Sequence, residues 1–171
     1  MSLEEIEARV ILSTKRKKRN YSLVTIADDI IKLKNKYGSI AEVAKTIGIS
    51  SGMLNQFLKV NYLSDKIKNL VGKRKVDSVT IVSNLSKFSK EDQNILINYI
   101  LDKNLNSQDL RYLSPLRKEN PNRAIEDLVK QTLYSKGIRV SVIQFSQKDF
   151  ARSIEDFERD IKNIIGEDNF I

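Results

Sequence analysis

The sequence predicts a mainly α protein: a multi-helical helix-turn-helix domain with a small C-terminal strand-plus-helix dimerisation element. Three observations carry this expectation. Apolar residues recur at steps of three and four through most of the first 135 residues, the period of one helix face. The stretch Ile40–Lys59 carries a small residue, a glycine and inward apolar positions at the spacing of two short helices meeting through a tight turn. Period-2 alternation is confined to one place, around 138–145.

Taken in order, residues 1–20 read as a short helix or arm ending in the run Lys15-Arg16-Lys17-Lys18-Arg19. Leu23, Ile26, Ile30, Leu33 and Tyr37 then draw a stripe down one helix, with Ser22 as its cap and Gly38 at its stop. A shorter helix runs from Ser39 to about Thr46, Gly48 breaks it, and a third begins near Ser50 or Ser51. Further helices are expected around 64–71, 77–85, 90–103 and 107–117. The best-marked start is Ser89, with Asp92 three residues on. Asn120-Pro121-Asn122 is a joint, after which another helix continues to about Ser135. Ile138, Val140 and Val142 alternate with Arg139 and Ser141 as a strand that Ile143 and Phe145 extend. Phe150, Ile154, Phe157, Ile161 and Ile164 stripe a final helix. A lone strand needs a partner for its backbone groups, and a second copy across a two-fold axis supplies one. Ile138, Val140, Val142, Phe150, Ile154, Phe157 and Ile161 are therefore the expected dimer interface. The resulting division is a basic N-terminal arm at 1–20, a DNA-binding domain at 21–119 and a C-terminal helix-strand-helix dimerisation region at 120–171.

Composition narrows the chemistry. In 171 residues, 30 Lys and Arg face 22 Asp and Glu, a net charge of +8 that points to nucleic acid before a membrane surface. Residues 1–120 hold 22 basic and 13 acidic side chains, whereas 121–171 hold 8 and 9, so the polyanion belongs to the first two thirds. Without Cys or His there is no disulfide, no Cys/His zinc site and no His-based triad. No run of about 18 apolar residues and no apolar N-terminal signal are present, so a cytoplasmic protein without a membrane partner is expected. The carboxylates Asp127, Asp149, Glu155, Asp156 and Glu158 have the spacing of helix-face charges beside Lys130, Arg152 and Arg159. With 6 Gly and no phosphate-cradling loop, neither an enzyme nor a metal site nor a cofactor is expected.

The segment Ile40–Lys59, IAEVAKTIGISSGMLNQFLK, carries the functional expectation. Ala44 stands where two helices would approach, Gly48 can take positive φ in the turn, and Val43, Ile47, Ile49, Leu54 and Phe57 point inward. The second helix then presents Ser50, Ser51, Gly52, Asn55, Gln56 and Lys59 outward. Asn and Gln can each pair with the N6/N7 edge of adenine, Ser with bases or phosphate, and Lys59 suits phosphate. The small residues at the helix start permit close approach to a major-groove floor. Asn55 and Gln56 also fit a solvated helix surface, and the positive balance of the first 120 residues favours DNA. Lys15–Arg19 reads as a phosphate grip, a minor-groove arm or a solvated stretch. Lys73-Arg74-Lys75 reads as a phosphate contact or an ordinary charged loop.

From about Ser39 to Leu113, roughly 75 of 171 residues, the sequence resembles the DNA-binding core of ParB-type partition proteins. The resemblance lies in the order of three segments: IAEVAKTIGISSGMLNQFLKV, LSDKIKNLVGKRKVDSVTIVSNL and FSKEDQNILINYILDKNLNSQDLRYL. It implies base reading by Ser51, Asn55 and Gln56 in a palindromic double-stranded site. It implies backbone contacts by Lys59, Lys73 and Arg74, and a homodimer associated with the nucleoid. A partition ATPase is a further partner it suggests. The family's Gly-Glu-Arg-Arg type nucleotide-binding box has no counterpart before Tyr21, so CTP binding is not expected. Two other functions stay open: a transcriptional repressor of the same helix-turn-helix class, and a protein–protein interaction module docking through the Phe150–Ile164 stripe.

Overall fold

The computed structural model describes residues 2–15, 19–148, 159 and 163. Among these the secondary structure is entirely helical. The chain divides into two compact units, 1–114 and 115–171.

In the first unit α2 (Leu23–Tyr37) is the central element, packing against α1 (Leu3–Lys15), α3 (Ile40–Ile47), α4 (Ser51–Leu58) and α5 (Asp65–Gly72). Its apolar stripe explains this: Leu23, Ile26, Ile30 and Leu33 are all essentially solvent-free. The Ser22 hydroxyl accepts the Thr25 N–H at 3.2 Å, and Gly38 ends the helix at φ 88. A single turn of 3₁₀ helix (Lys59–Tyr62) follows α4 directly. Next come α6 (Val79–Leu85), α7 (Lys90–Leu101) and α8 (Ser107–Glu119), of which only 107–114 belong to this unit. Ser89 caps α7 as its sequence foretells, its hydroxyl accepting the Asp92 N–H at 3.1 Å.

The N-terminal residues include a packed helix. Ile6 and Val10 of α1 are buried, and Arg9 forms a two-pronged pair with Asp29 of α2, at 2.5 and 2.7 Å. The Arg9 guanidinium also lies 4.9 Å from the centre of the Tyr21 ring. Asp29 is 1% exposed, a position that a carboxylate tolerates when a guanidinium satisfies it. The hydrogen bonds to Asp29 raise the pKa of Arg9 above its ordinary value. Tyr37 adds a second link between these helices, its hydroxyl donating to Glu7.

A buried amide governs the exit from α4. Gln93 of α7 is 1% exposed, and its Oε1 accepts the Ser64 N–H at 2.8 Å. Its Nε2 donates to the carbonyls of Tyr62 at 3.1 Å and Phe88 at 3.0 Å. Ser64 in turn donates its hydroxyl to Asn94 Oδ1 at 2.7 Å. Gln93 thus meets the Ser64 N–H, while the Leu63 N–H and the Ser64 carbonyl are met by backbone and Lys90 adds a bond to the Tyr62 carbonyl at 2.5 Å.

In the second unit, α9 (Ile125–Lys148) buries Ile125, Leu128, Val129 and Thr132 on one side of its first two turns. Arg117 donates to the Arg123 carbonyl at 2.5 Å across the Asn120-Pro121-Asn122 joint. The backbone of α9 is helical through 138–145, which overturns the expected strand and the strand pairing of Ile138, Val140 and Val142. The physical reason is backbone satisfaction. A lone strand leaves its N–H and C=O groups to be met by another chain, whereas extending an existing helix meets them locally without a new nucleation step. The remaining expected interface residues, Phe150, Ile154, Phe157 and Ile161, lie outside the described residues, as do Asp149, Glu155, Asp156 and Glu158.

Replacing Gln93 with the similarly sized Leu strands the Ser64 N–H and the Phe88 carbonyl in the interior. At about 1–3 kcal/mol for a buried group left without its partner, the expected loss is about 2–3 kcal/mol. Urea unfolding checks it: the midpoint should fall with the slope unchanged.

Candidate nucleic-acid interface

The α3–α4 corner is assembled from local signals. Ser39 caps α3 by accepting the Glu42 N–H at 3.1 Å. Gly48 ends it in the left-handed region at φ 67 and ψ 35, with its N–H returned to the Ala44 carbonyl. Ser50 then caps α4, its hydroxyl accepting the Met53 N–H at 3.2 Å. Val43, Ile47, Leu54 and Phe57 are buried, while Ala44 and Ile49 are half-buried at the corner. The inward positions expected from the sequence are the ones that pack.

The opposite face of α4 is open. Ser50, Ser51, Gly52, Asn55, Gln56 and Lys59 are all exposed. Gly52, Asn55, Gln56 and Lys59 stand at i, i+3, i+4 and i+7, one continuous stripe turned away from the core. The Ser50 oxygen serves the helix cap, which leaves its O–H proton to donate outward. Gly52 has helical backbone, and a Cβ built on it would meet nothing within 4 Å. The fold therefore gains nothing from the missing methyl, although glycine in a helix costs about 0.5–1 kcal/mol relative to alanine. Gly48 is the opposite case, since its φ is one that L-residues rarely adopt.

The charge around this corner is one-sided. Between Val43 and Val76 there are seven Lys or Arg and a single carboxylate, Asp65. Asp65 lies 3.5 Å from Lys68. Lys59 lies at the far end of α4 with its ammonium 5.1 Å from the centre of the Tyr62 ring. Tyr62 is 61% exposed, so this cation–π pair forms at the surface.

The expected backbone contacts separate into two groups. Lys73 and Lys75 are exposed beside the end of α5. Arg74, at φ 59, is exposed as well, but its guanidinium is engaged by the neighbouring chain. It donates to the carbonyls of Arg19 at 2.5 Å and Asn20 at 3.4 Å, and to Asp77 Oδ2 at 3.0 Å. Arg19 is itself tied to the Asp77 carbonyl and, at 3.3 Å, to its carboxylate. Both guanidiniums thus fasten the segment before α2 to the α5–α6 turn. Lys15 ends α1, and Arg16, Lys17 and Lys18 lie outside the described residues.

Met53 and Tyr62 are the exposed side chains here that sequence reasoning passed over. Met53 is 37% exposed, because Leu54 and Phe57 take the inward positions and leave it on the flank of α4. Its signal was its place one residue before the first buried position. Tyr62 was legible only as one more aromatic residue.

No family model, curated protein or solved structure matches this chain. Among the described residues, no helix is long and apolar enough to cross a membrane, and no three Asp or Glu gather where a metal ion could be held. Asp127 lies 3.8 Å from Lys130 one turn along α9.

Two alanine substitutions four residues apart should move stability in opposite directions. Gly48→Ala is expected to lose about 1 kcal/mol through its left-handed backbone, and Gly52→Ala to gain about 0.5 kcal/mol. Thermal unfolding of both variants makes the comparison. In the basic cluster, Arg74→Ala should cost about 1 kcal/mol by removing its bonds to Arg19, Asn20 and Asp77, while Lys73→Ala stays within about 0.5 kcal/mol of the parent. Equal effects from the two would contradict the fastening role of Arg74.

Proposed function

We propose that the protein is a sequence-specific double-stranded DNA-binding protein in which α3, the Gly48 turn and α4 form a helix-turn-helix, with α4 as the recognition helix. The observation that carries this reading is the outward stripe of α4. It places two carboxamides and a lysine next to a glycine for which the fold has no use. A missing side chain on an exposed helix matters if another surface must come close, and a groove floor is such a surface. Asn55 and Gln56 pair with base edges, chiefly adenine. Ser51, Gly52 and the Ser50 hydroxyl line the approach, and Lys59, Lys73 and Lys75 meet phosphates. The scarcity of carboxylates from Val43 to Val76 suits a polyanion.

The process proposed is plasmid or chromosome partition at the nucleoid, in keeping with the resemblance to ParB-type proteins. No enzymatic activity is part of this reading, and a partition ATPase is a candidate partner. The protein acts as a dimer on an inverted repeat, the two recognition helices about one helical turn apart. A repressor of the same class would use the same face of α4, and the position of the site relative to a promoter separates the two.

Selection from a random-sequence duplex pool at about 0.15 M salt tests the reading. The expected result is an enriched inverted repeat whose affinity falls about 5- to 150-fold with Asn55→Ala or Gln56→Ala, the range for losing a bidentate base contact. Gly52→Ala should weaken binding although it stabilises the fold. Lys59→Ala, Lys73→Ala and Lys75→Ala should each flatten the salt dependence by about one counterion. Retention without an enriched sequence would remove the base-reading roles. No retention at all would overturn DNA binding.

A further inference from the structure

We propose, resting on the DNA-reading role of α4, that Met53 recognises the 5-methyl group of a thymine whose adenine partner is read by Gln56. Leu54 and Phe57 are buried at 0% and 2% exposure and Leu58 is half-buried, which leaves Met53 as the one exposed apolar side chain of α4. Its backbone is fixed by the Ser50 cap at the third helical position. Gln56 follows it by three residues, so the two side chains are neighbours on the helix surface. They offer an amide beside a thioether.

An A·T pair presents the matching chemistry on its major-groove edge. Adenine shows N7 as acceptor and N6 as donor, which one carboxamide satisfies, and thymine shows O4 and a methyl group. Polar side chains gain nothing from that methyl, whereas an unbranched, polarisable thioether adapts its shape to it. Uracil keeps the hydrogen-bonding edge of thymine and lacks only the methyl. It therefore isolates the contact from every other feature of the pair. Removing one buried methyl group is worth about 0.8 kcal/mol, or roughly fourfold in affinity.

The experiment uses the full chain and the duplex enriched by selection, with deoxyuridine placed at each thymine of a half-site in turn. The expected result is one position where uracil weakens the parent protein about three- to fivefold. At that position Met53→Ala should bind thymine and uracil duplexes equally, and Met53→Leu should still distinguish them. The Gln56→Ala loss should map to the same base pair. Thermal unfolding shows that both Met53 variants fold, as substitution of an exposed side chain should allow. Indifference of the parent protein to uracil at every position overturns the thymine contact, as does discrimination retained by Met53→Ala or a half-site without thymine. In those cases an enriched repeat leaves the DNA-reading function standing. If no sequence is enriched, the function and the contact fall together.

Discussion

A single buried carboxamide holds the exit of α4 in place. Gln93 lies on α7, 29 residues from Ser64 and 31 from Tyr62, and takes one hydrogen bond from the first while giving one to the second. The chain leaving α4 makes only one 3₁₀ turn before it enters α5, so few backbone bonds of its own hold it. Lys90 adds a second bond to the Tyr62 carbonyl, at 2.5 Å, and Val60 and Leu63 are buried beside it. Leu54 and Phe57 set the rotation of α4, and Gln93 helps to fix the turn that follows it. The outward stripe from Gly52 to Lys59 inherits its orientation from both.

Polar groups on this unit serve two separate ends. Arg9, Arg19, Arg74 and Gln93 are spent on the fold, each meeting a carboxylate or a carbonyl within it. Asn55, Gln56, Lys73 and Lys75 stay at the surface. The distinction cuts across residue type: three consecutive cations, Lys73-Arg74-Lys75, contain both uses. Arginine takes the bonded place, although it too is exposed, because its planar fork can meet two carbonyls and a carboxylate at once, a geometry that an ammonium on a flexible stem matches poorly.

Most of the helical order was legible because it is written locally. Ser22, Ser39, Ser50 and Ser89 cap the helices they precede, and Gly38 and Gly48 stand at helix ends with positive φ. The stripe from Leu23 to Leu33 is buried as its spacing implied. The face of α4 was legible for the same reason, since Leu54 and Phe57 fix which residues turn outward. What escaped were long-range choices. That Arg74 folds back on Arg19 and Asn20 depends on a pairing 54 and 55 residues apart, which no local pattern encodes. That 138–145 continues α9 depends on the helix preceding it, a context that outweighs a short period-2 alternation. Gln93 resembled any polar residue on an amphipathic helix, and only the packed fold reveals its three bonds.

The central place of α2 also bears on how quickly the first unit folds. Its neighbours α1 and α3 adjoin it in the chain and α4 follows α3 directly, so much of the core closes short loops, the pattern of rapidly folding helical proteins. The Gln93 bonds close spans of 29 and 31 residues and need the 3₁₀ turn and α7 both in place, so they are expected to form after the main barrier. Such late bonds act as a brake on escape from the native state. Disturbing them should accelerate unfolding while leaving the refolding rate nearly constant, a split that the two limbs of a chevron plot display directly.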